Sequence, residues 1–494
     1  MPRAAAQLPL VLPPREASAP VGRWLYAALR AAVLDGRLAP ESRLPSTRDL
    51  ALEYRLSRGT VVTAYDRLLA EGYLEARIGS GTRVARELPS GFRTGSRRPA
   101  DRARRPPRTL SACAGRLGDL GWFEEHHADR VRAFRANQPA LDLFPSALWA
   151  QVAARRLRRA PPGLLLGCEP MGHRPLREEV ARYLVTSRGA RCAPEQVAIV
   201  SGVQEALDVV ARLFLDPGDR VAMESPGYLG ATRVFEAAGA EISPVRVDAE
   251  GLDPTDPALL GARLVYLTPA HQFPLGAALG LPRRLALLEW AAASGALVLE
   301  DDYDSEYRYS GRPLPALQGL DQHGQVLLTG SFGKVLFPSL RLGYLVVPPD
   351  LVDPVRSLLS ITRRHAPLLD QAVLADFLAG GHFGRHLRRM REVYSERLGV
   401  LTESVESRLA GMLHLPPVEA GLQTVGLLGR GIRGRAAAEA AAVRGLEVTD
   451  IGRYSHGRAA PEGLVLGFAA VPPAEIRRGV RELGAVLEGL TRAR

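Results

Sequence analysis

Six short apolar runs recur between residues 197 and 347, at 197–200, 220–225, 264–268, 297–301, 326–330 and 342–347, most of them separated by segments of helix length. Runs this short and this apolar need cover on both faces, which the intervening helices can supply. The rhythm predicts a mostly parallel sheet between two layers of helices, an α/β domain. The chain has 494 residues, more than one such sheet uses, so further domains are expected. With 46% hydrophobic and 24% charged residues it reads as an ordinary globular protein, and no apolar run reaches the ~18 residues of a membrane helix. The apolar start is broken by Pro9, Pro13 and Pro14 and lacks a secretory core, so a cytoplasmic location is expected. Cys113, Cys168 and Cys192 are odd in number and widely spaced, which suits neither a disulfide framework nor a zinc site, and no metal is expected.

The net charge of +11 is concentrated at one end. Residues 1–110 hold 20 Arg against 10 acids, and the remainder is nearly balanced. A field of this kind suits a polyanion, nucleic acid first. Residues 20–86 carry three helical stretches, at 22–34, from the capping box of Ser46 and Asp49, and from Ser57 to Gly72. Two strands follow, near 73–77 and 82–86, around Gly79-Ser80-Gly81. Three helices and a hairpin predict a winged helix-turn-helix whose third helix enters the major groove, with Arg58 at its start, Arg48 on helix two and the wing at Gly79 beside it. Residues 36–51, 57–74 and 79–84 closely resemble the winged helix of the GntR family of bacterial regulators. That resemblance implies DNA contacts from Arg48, Ser57, Arg58, Thr60 and Gly79, with side-chain readout weakened at Gly59, where many members carry a larger polar residue. The expected boundaries are 19–87 for the winged helix, 88–133 for an Arg- and Pro-rich linker and 134–494 for the α/β part, with a smaller subdomain over about 380–494.

Of the 64 basic residues 63 are Arg, and the one Lys is Lys334. A guanidinium stays protonated, whereas a lysine amine can lose its proton and form a Schiff base, so Lys334 is the first candidate for covalent chemistry. It lies thirty-three residues after Asp301, which ends an apolar strand run in Glu300-Asp301-Asp302-Tyr303. Either aspartate alone could equally cap a helix or hold Mg²⁺. Pyridoxal phosphate asks for an amine, a carboxylate at the ring nitrogen, a donor to the phenolic oxygen and a phosphate cup. Lys334, Asp301, Tyr303 and the pair Ser331 and Arg341 can fill these roles in turn. The helix opened by Gly202, Val203 and Gln204 adds its N-terminal N–H groups to the cup, and Tyr228 is placed to stack on the ring.

Residues 266–276, 299–309 and 329–346 resemble the signature blocks of the MocR subfamily, whose members join a GntR-type winged helix to a fold-type I, aminotransferase class I/II-like domain. The resemblance implies pyridoxal 5'-phosphate bound at Lys334, with Asp301 and Tyr303 as ring partners and Arg341 on the phosphate. It places Arg453, with Arg458 second, at the carboxylate of an effector. It also implies a homodimer with exchanged winged helices, and a regulator that binds operator DNA and senses the cofactor itself or an amino compound through aldimine chemistry. The alternative is a working aminotransferase with an accessory DNA-binding domain. Gly167, Val203 and Gly333 depart from the subfamily pattern, each removing a possible hydrogen bond to the cofactor.

Overall fold

A computed structural model describes residues 11–15, 19–77, 81–88, 109–120, 131–311 and 314–492. The chain divides into two compact units, Met1–Arg108 and Thr109–Arg494.

The first unit is a three-helix bundle with a hairpin: α1 (Val21–Leu34), α2 (Thr47–Glu53) and α3 (Arg58–Ala70), then the antiparallel strands β1 (Leu74–Arg77) and β2 (Gly81–Val84). Each of the second and third helices begins where a serine caps it. The Ser46 hydroxyl accepts from the Asp49 N–H at 3.2 Å, and the Ser57 hydroxyl accepts from the Thr60 N–H at 3.1 Å. Leu25, Leu29, Leu50, Val61 and Leu68 close the core. Leu12 joins them, seven residues before the expected boundary; its N–H donates to the Tyr54 hydroxyl. Leu12 thus packs although Pro13 and Pro14 follow it directly.

In the second unit the predicted rhythm becomes an eight-stranded sheet. Its strands are β3 (Val197–Val200), β4 (Arg220–Ser225), β5 (Glu241–Asp248), β6 (Gly251–Leu252), β7 (Ala262–Leu267), β8 (Leu297–Asp302), β9 (Val326–Ser331) and β10 (Gly343–Val346). The order is β3-β10-β9-β8-β7-β4-β5-β6, with β10 antiparallel to both neighbours and β4, β5, β7, β8 and β9 parallel. Strand β5 was not legible as an apolar run, because Ser243 and Pro244 interrupt it and only β6 lies outside it.

A second, four-stranded antiparallel sheet is built from β11 (Leu413–His414), β12 (Gln423–Leu428), β13 (Thr449–Asp450) and β14 (Gly463–Gly467). The helices His382–Arg408 and Pro473–Arg492 pack against each other beside it. The chain segment around Phe134 also belongs here, since Phe134 bridges to Gly467 and is buried in the same core.

The stretch expected to be linker contains a helix, Ala112–Leu120. Leu117 on it is largely exposed, so no apolar face announces it. Instead the Arg116 guanidinium donates to the Ala237 and Ala238 carbonyls, at the C-terminal end of the helix Leu229–Ala238, where a cation is favoured. The Arg-rich part of that stretch, 89–108, lies outside the described residues. Replacement of Ser46 by Ala should lower the unfolding free energy of the first unit by about 1 kcal/mol, the usual loss for an N-cap. The transition of the second unit should stay in place, as followed by calorimetry of the full chain.

Candidate cofactor site and nucleic-acid interface

The side-chain alternation of β8 sorts its three acids. Glu300 and Asp302 share one face, where Glu300 accepts from the Leu317 and Gln318 N–H groups and Asp302 pairs with buried Arg188 at 2.6 Å. Asp301 points to the opposite face, into a cavity of about 160 Å³ at the C-terminal ends of the strands. Asn137, Gly202, Val203, Gln204, Tyr228 and Tyr266 line this cavity, and so do Thr268, Phe273, Tyr303, Ser331, Lys334 and Arg341. All eight residues named from the sequence for the cofactor are therefore brought together.

Lys334 follows the end of β9, and its Nζ donates to the Asn137 carbonyl at 3.0 Å. Burial drives the amine down to about 8, and the Asp304 and Asp301 carboxylates oppose that fall. Burial pushes the Asp301 carboxyl up to about 7, although Tyr266 donates to its Oδ2 at 2.7 Å. Asp301 Oδ1 is buried and has no hydrogen-bond partner. An unmatched acceptor of this kind fits a protonated ring nitrogen, and a buried amine of lowered pKa fits an aldehyde. The residues present thus fit pyridoxal phosphate.

The phosphate end is built from backbone. Gly202 caps the helix Val203–Phe214 with φ of +108°, a conformation that favours glycine, and so aims the free N–H groups of the first turn at the cavity. Arg341 reaches the same place from a left-handed backbone, φ +50°. The Ser331 hydroxyl accepts from the Gly333 N–H at 3.1 Å, which leaves its proton free to donate. Tyr228 is anchored by Gln204 Nε2 at 2.9 Å and meets Phe273 edge-on.

Arg453 is exposed and opens onto a neighbouring cavity, which shares Asn137 with the first. Arg458 is already committed, since its Nη2 donates to both oxygens of Asp256. In the first unit Ser57 and Arg58 are exposed at the start of α3 and Arg48 is exposed on α2. Neither arginine pairs with an acid among the described residues. Thr60 is half-buried, and its hydroxyl is bonded to that of Ser57 at 2.7 Å. Gly79 lies outside the described residues.

Comparison with known proteins agrees with both halves. Residues 23–84 match the family model for bacterial regulatory proteins of the gntR family, and 132–481 match that for aminotransferase class I and II. The chain is 41% identical over 469 residues to the probable rhizopine catabolism regulatory protein MocR of Rhizobium meliloti, covering 95% of this chain and 94% of that one. The chain belongs to the MocR-type regulators. The pyridoxine biosynthesis regulator PdxR of Corynebacterium glutamicum is 33% identical, over 94% of this chain and 95% of its own. Among solved structures, the α-aminoadipate aminotransferase LysN of Thermus thermophilus, in complex with N-(5'-phosphopyridoxyl)-L-leucine, superposes with a TM-score of 0.70 at 28% identity. It covers 78% of this chain and 98% of that one.

Sequence reasoning missed several residues that line the site of this MocR-type regulator. Tyr266 was visible as the one tyrosine in the apolar run 264–268. Asn137 carried no signal, because it lies 197 residues before Lys334 and comes into place through the packing of Phe134 on β14. Only the neutral amine attacks an aldehyde, so covalent uptake of pyridoxal phosphate by Lys334 should accelerate as pH rises and level off above about 8. Stopped-flow absorbance checks this, and a rate still climbing steeply at pH 10 would mean that burial does not depress the amine.

Proposed function

We propose that this chain is a pyridoxal phosphate-dependent, ligand-responsive transcriptional regulator. The observation that carries the reading is the conjunction in one chain of a GntR-type winged helix and a buried lysine–aspartate–tyrosine cavity. When bound, pyridoxal phosphate supplies an aldehyde that bonds covalently to amines. In this reading Lys334 holds the cofactor, Asp301 holds a proton at its ring nitrogen, Tyr303 donates to its phenolic oxygen, and Tyr228 lies against its ring. Ser331, Arg341 and the N–H groups of Val203 and Gln204 bind the phosphate. Arg453 receives the carboxylate of an amino-compound effector, while free cofactor is itself a second possible signal. Arg48, Ser57, Arg58, Thr60 and the wing at Gly79 contact operator DNA. A cytoplasmic homodimer with exchanged winged helices would present two such surfaces to paired half-sites.

A ligand shifts a protein between two states only by binding them unequally. Arg453 belongs to the four-stranded subdomain and the lysine to the large sheet, so a ligand spanning them favours one relative placement. The presence of Lys334, Asp301 and Tyr303 in one cavity, together with 31% identity to the 2-aminoadipate transaminase of Thermus thermophilus, favours a second reading as a working aminotransferase.

An operator-binding titration with amino compounds, run beside a transaminase assay, separates the two. A regulator changes its DNA affinity without sustained turnover; efficient multiple turnover would favour the enzyme. The Arg453→Ala variant should keep basal DNA binding and lose most of the response to an amino-acid effector, and a full response would remove Arg453 from the account. Arg58→Ala should weaken operator binding by about 1–3 kcal/mol if the guanidinium reads a base. An equal loss on unrelated DNA would reduce Arg58 to a phosphate contact.

A further inference from the structure

A histidine that lines no part of the cofactor cavity stands directly behind it. His271 is 4% exposed, and its Nδ1 lies 3.0 Å from the Tyr303 hydroxyl and 3.0 Å from each oxygen of Asp304, itself 1% exposed. A carboxylate this close to Nδ1 fixes the tautomer. If Nδ1 were the unprotonated nitrogen, its lone pair would face two carboxylate oxygens in a buried site, so Nδ1 carries the proton and donates it. The Tyr303 oxygen, sharing that N–H, can then act only as an acceptor toward the ring. Its own proton must point elsewhere, and the open direction is the cavity that Tyr303 lines.

We propose that His271 is a positioning residue which, held by Asp304, turns the Tyr303 hydroxyl proton into the cavity and so makes that phenol a hydrogen-bond donor to the cofactor. The proposal rests on the reading of the cavity as a pyridoxal phosphate site. Two further features hold the imidazole in its orientation. The four-stranded subdomain lies flat against it at Gly421, where an added Cβ would come within 2.1 Å of His271 Cε1, and the Leu422 N–H donates to Asp304 Oδ2 at 3.3 Å. Asp304 thus receives one donor from the ring and one from the subdomain that carries Arg453. Tyr303, whose hydroxyl burial pushes well above its usual range, remains a neutral donor.

The test compares visible spectra and pyridoxal phosphate retention of the full chain and its variants, with the thermal midpoint of each cofactor-free protein recorded alongside. Asparagine places its amide nitrogen near the position of Nδ1, whereas glutamine extends past it. His271→Asn should keep the wild-type absorption band and retention. His271→Gln and His271→Leu should reproduce the band shift of Tyr303→Phe, with retention about tenfold weaker, the loss of one oriented hydrogen bond. Adding His271→Leu to Tyr303→Phe should change neither band nor retention further, since the two act as one unit. The inference alone is overturned if the Asn and Gln variants behave alike, or if His271→Leu shifts the band as much in the Tyr303→Phe background as in the wild type. A wild type that takes up no cofactor overturns the cofactor reading and this inference with it.

Discussion

The burial of one amine and one carboxylate in the same small cavity is the constraint on which the rest of the larger unit depends. Both charges are poorly solvated there, and the cost is visible as a lysine lowered to about 8 and an aspartate raised to about 7. The sheet keeps them in place because β8 and β9 are parallel neighbours, pairing Asp301 with Thr329, so that both groups emerge at the same end. Around them Tyr266 donates to Asp301, the Asn137 carbonyl accepts from Lys334, and Asp301 Oδ1 is left unmatched. A site that carries an unmatched acceptor and a depressed amine is prepared for a ligand that supplies a proton-bearing ring nitrogen and an aldehyde.

Two other acids on the same strand show how much local context decides. Glu300 and Asp302 are also buried, yet they spend their charge on backbone N–H groups and on Arg188. Glu224, raised by burial to about 7, accepts from Thr268 and helps fix the turn that carries His271 and Phe273. These carboxylates hold the walls, and only Asp301 faces the cavity.

Much of this was legible in the sequence because it is written locally. Five of the six apolar runs match observed strands to within one residue at each end, since a doubly covered strand has a simple signature, and Ser46 and Ser57 cap the helices whose starts they mark. Lys334 stood out because the chain has no other lysine. What stayed hidden depends on contacts between distant segments. Asn137 is delivered by a β-bridge at Phe134, His271 acquires its meaning only from Asp304 and Tyr303, and the helix Ala112–Leu120 meets a helix end through Arg116 and Cys113. Strand β5, next to the edge, was obscured by its own proline.

The winged helix and the aminotransferase-like unit each follow from their own cores, and in the proposed reading what makes them one device is the chemistry available at Lys334. The most direct measurement is mass spectrometry of the full chain after incubation with pyridoxal phosphate, borohydride reduction and proteolysis. The account predicts a single pyridoxyl adduct on the peptide containing Lys334, absent from the Lys334→Ala variant. No adduct in the wild type, or an adduct of equal yield in the variant, would contradict it.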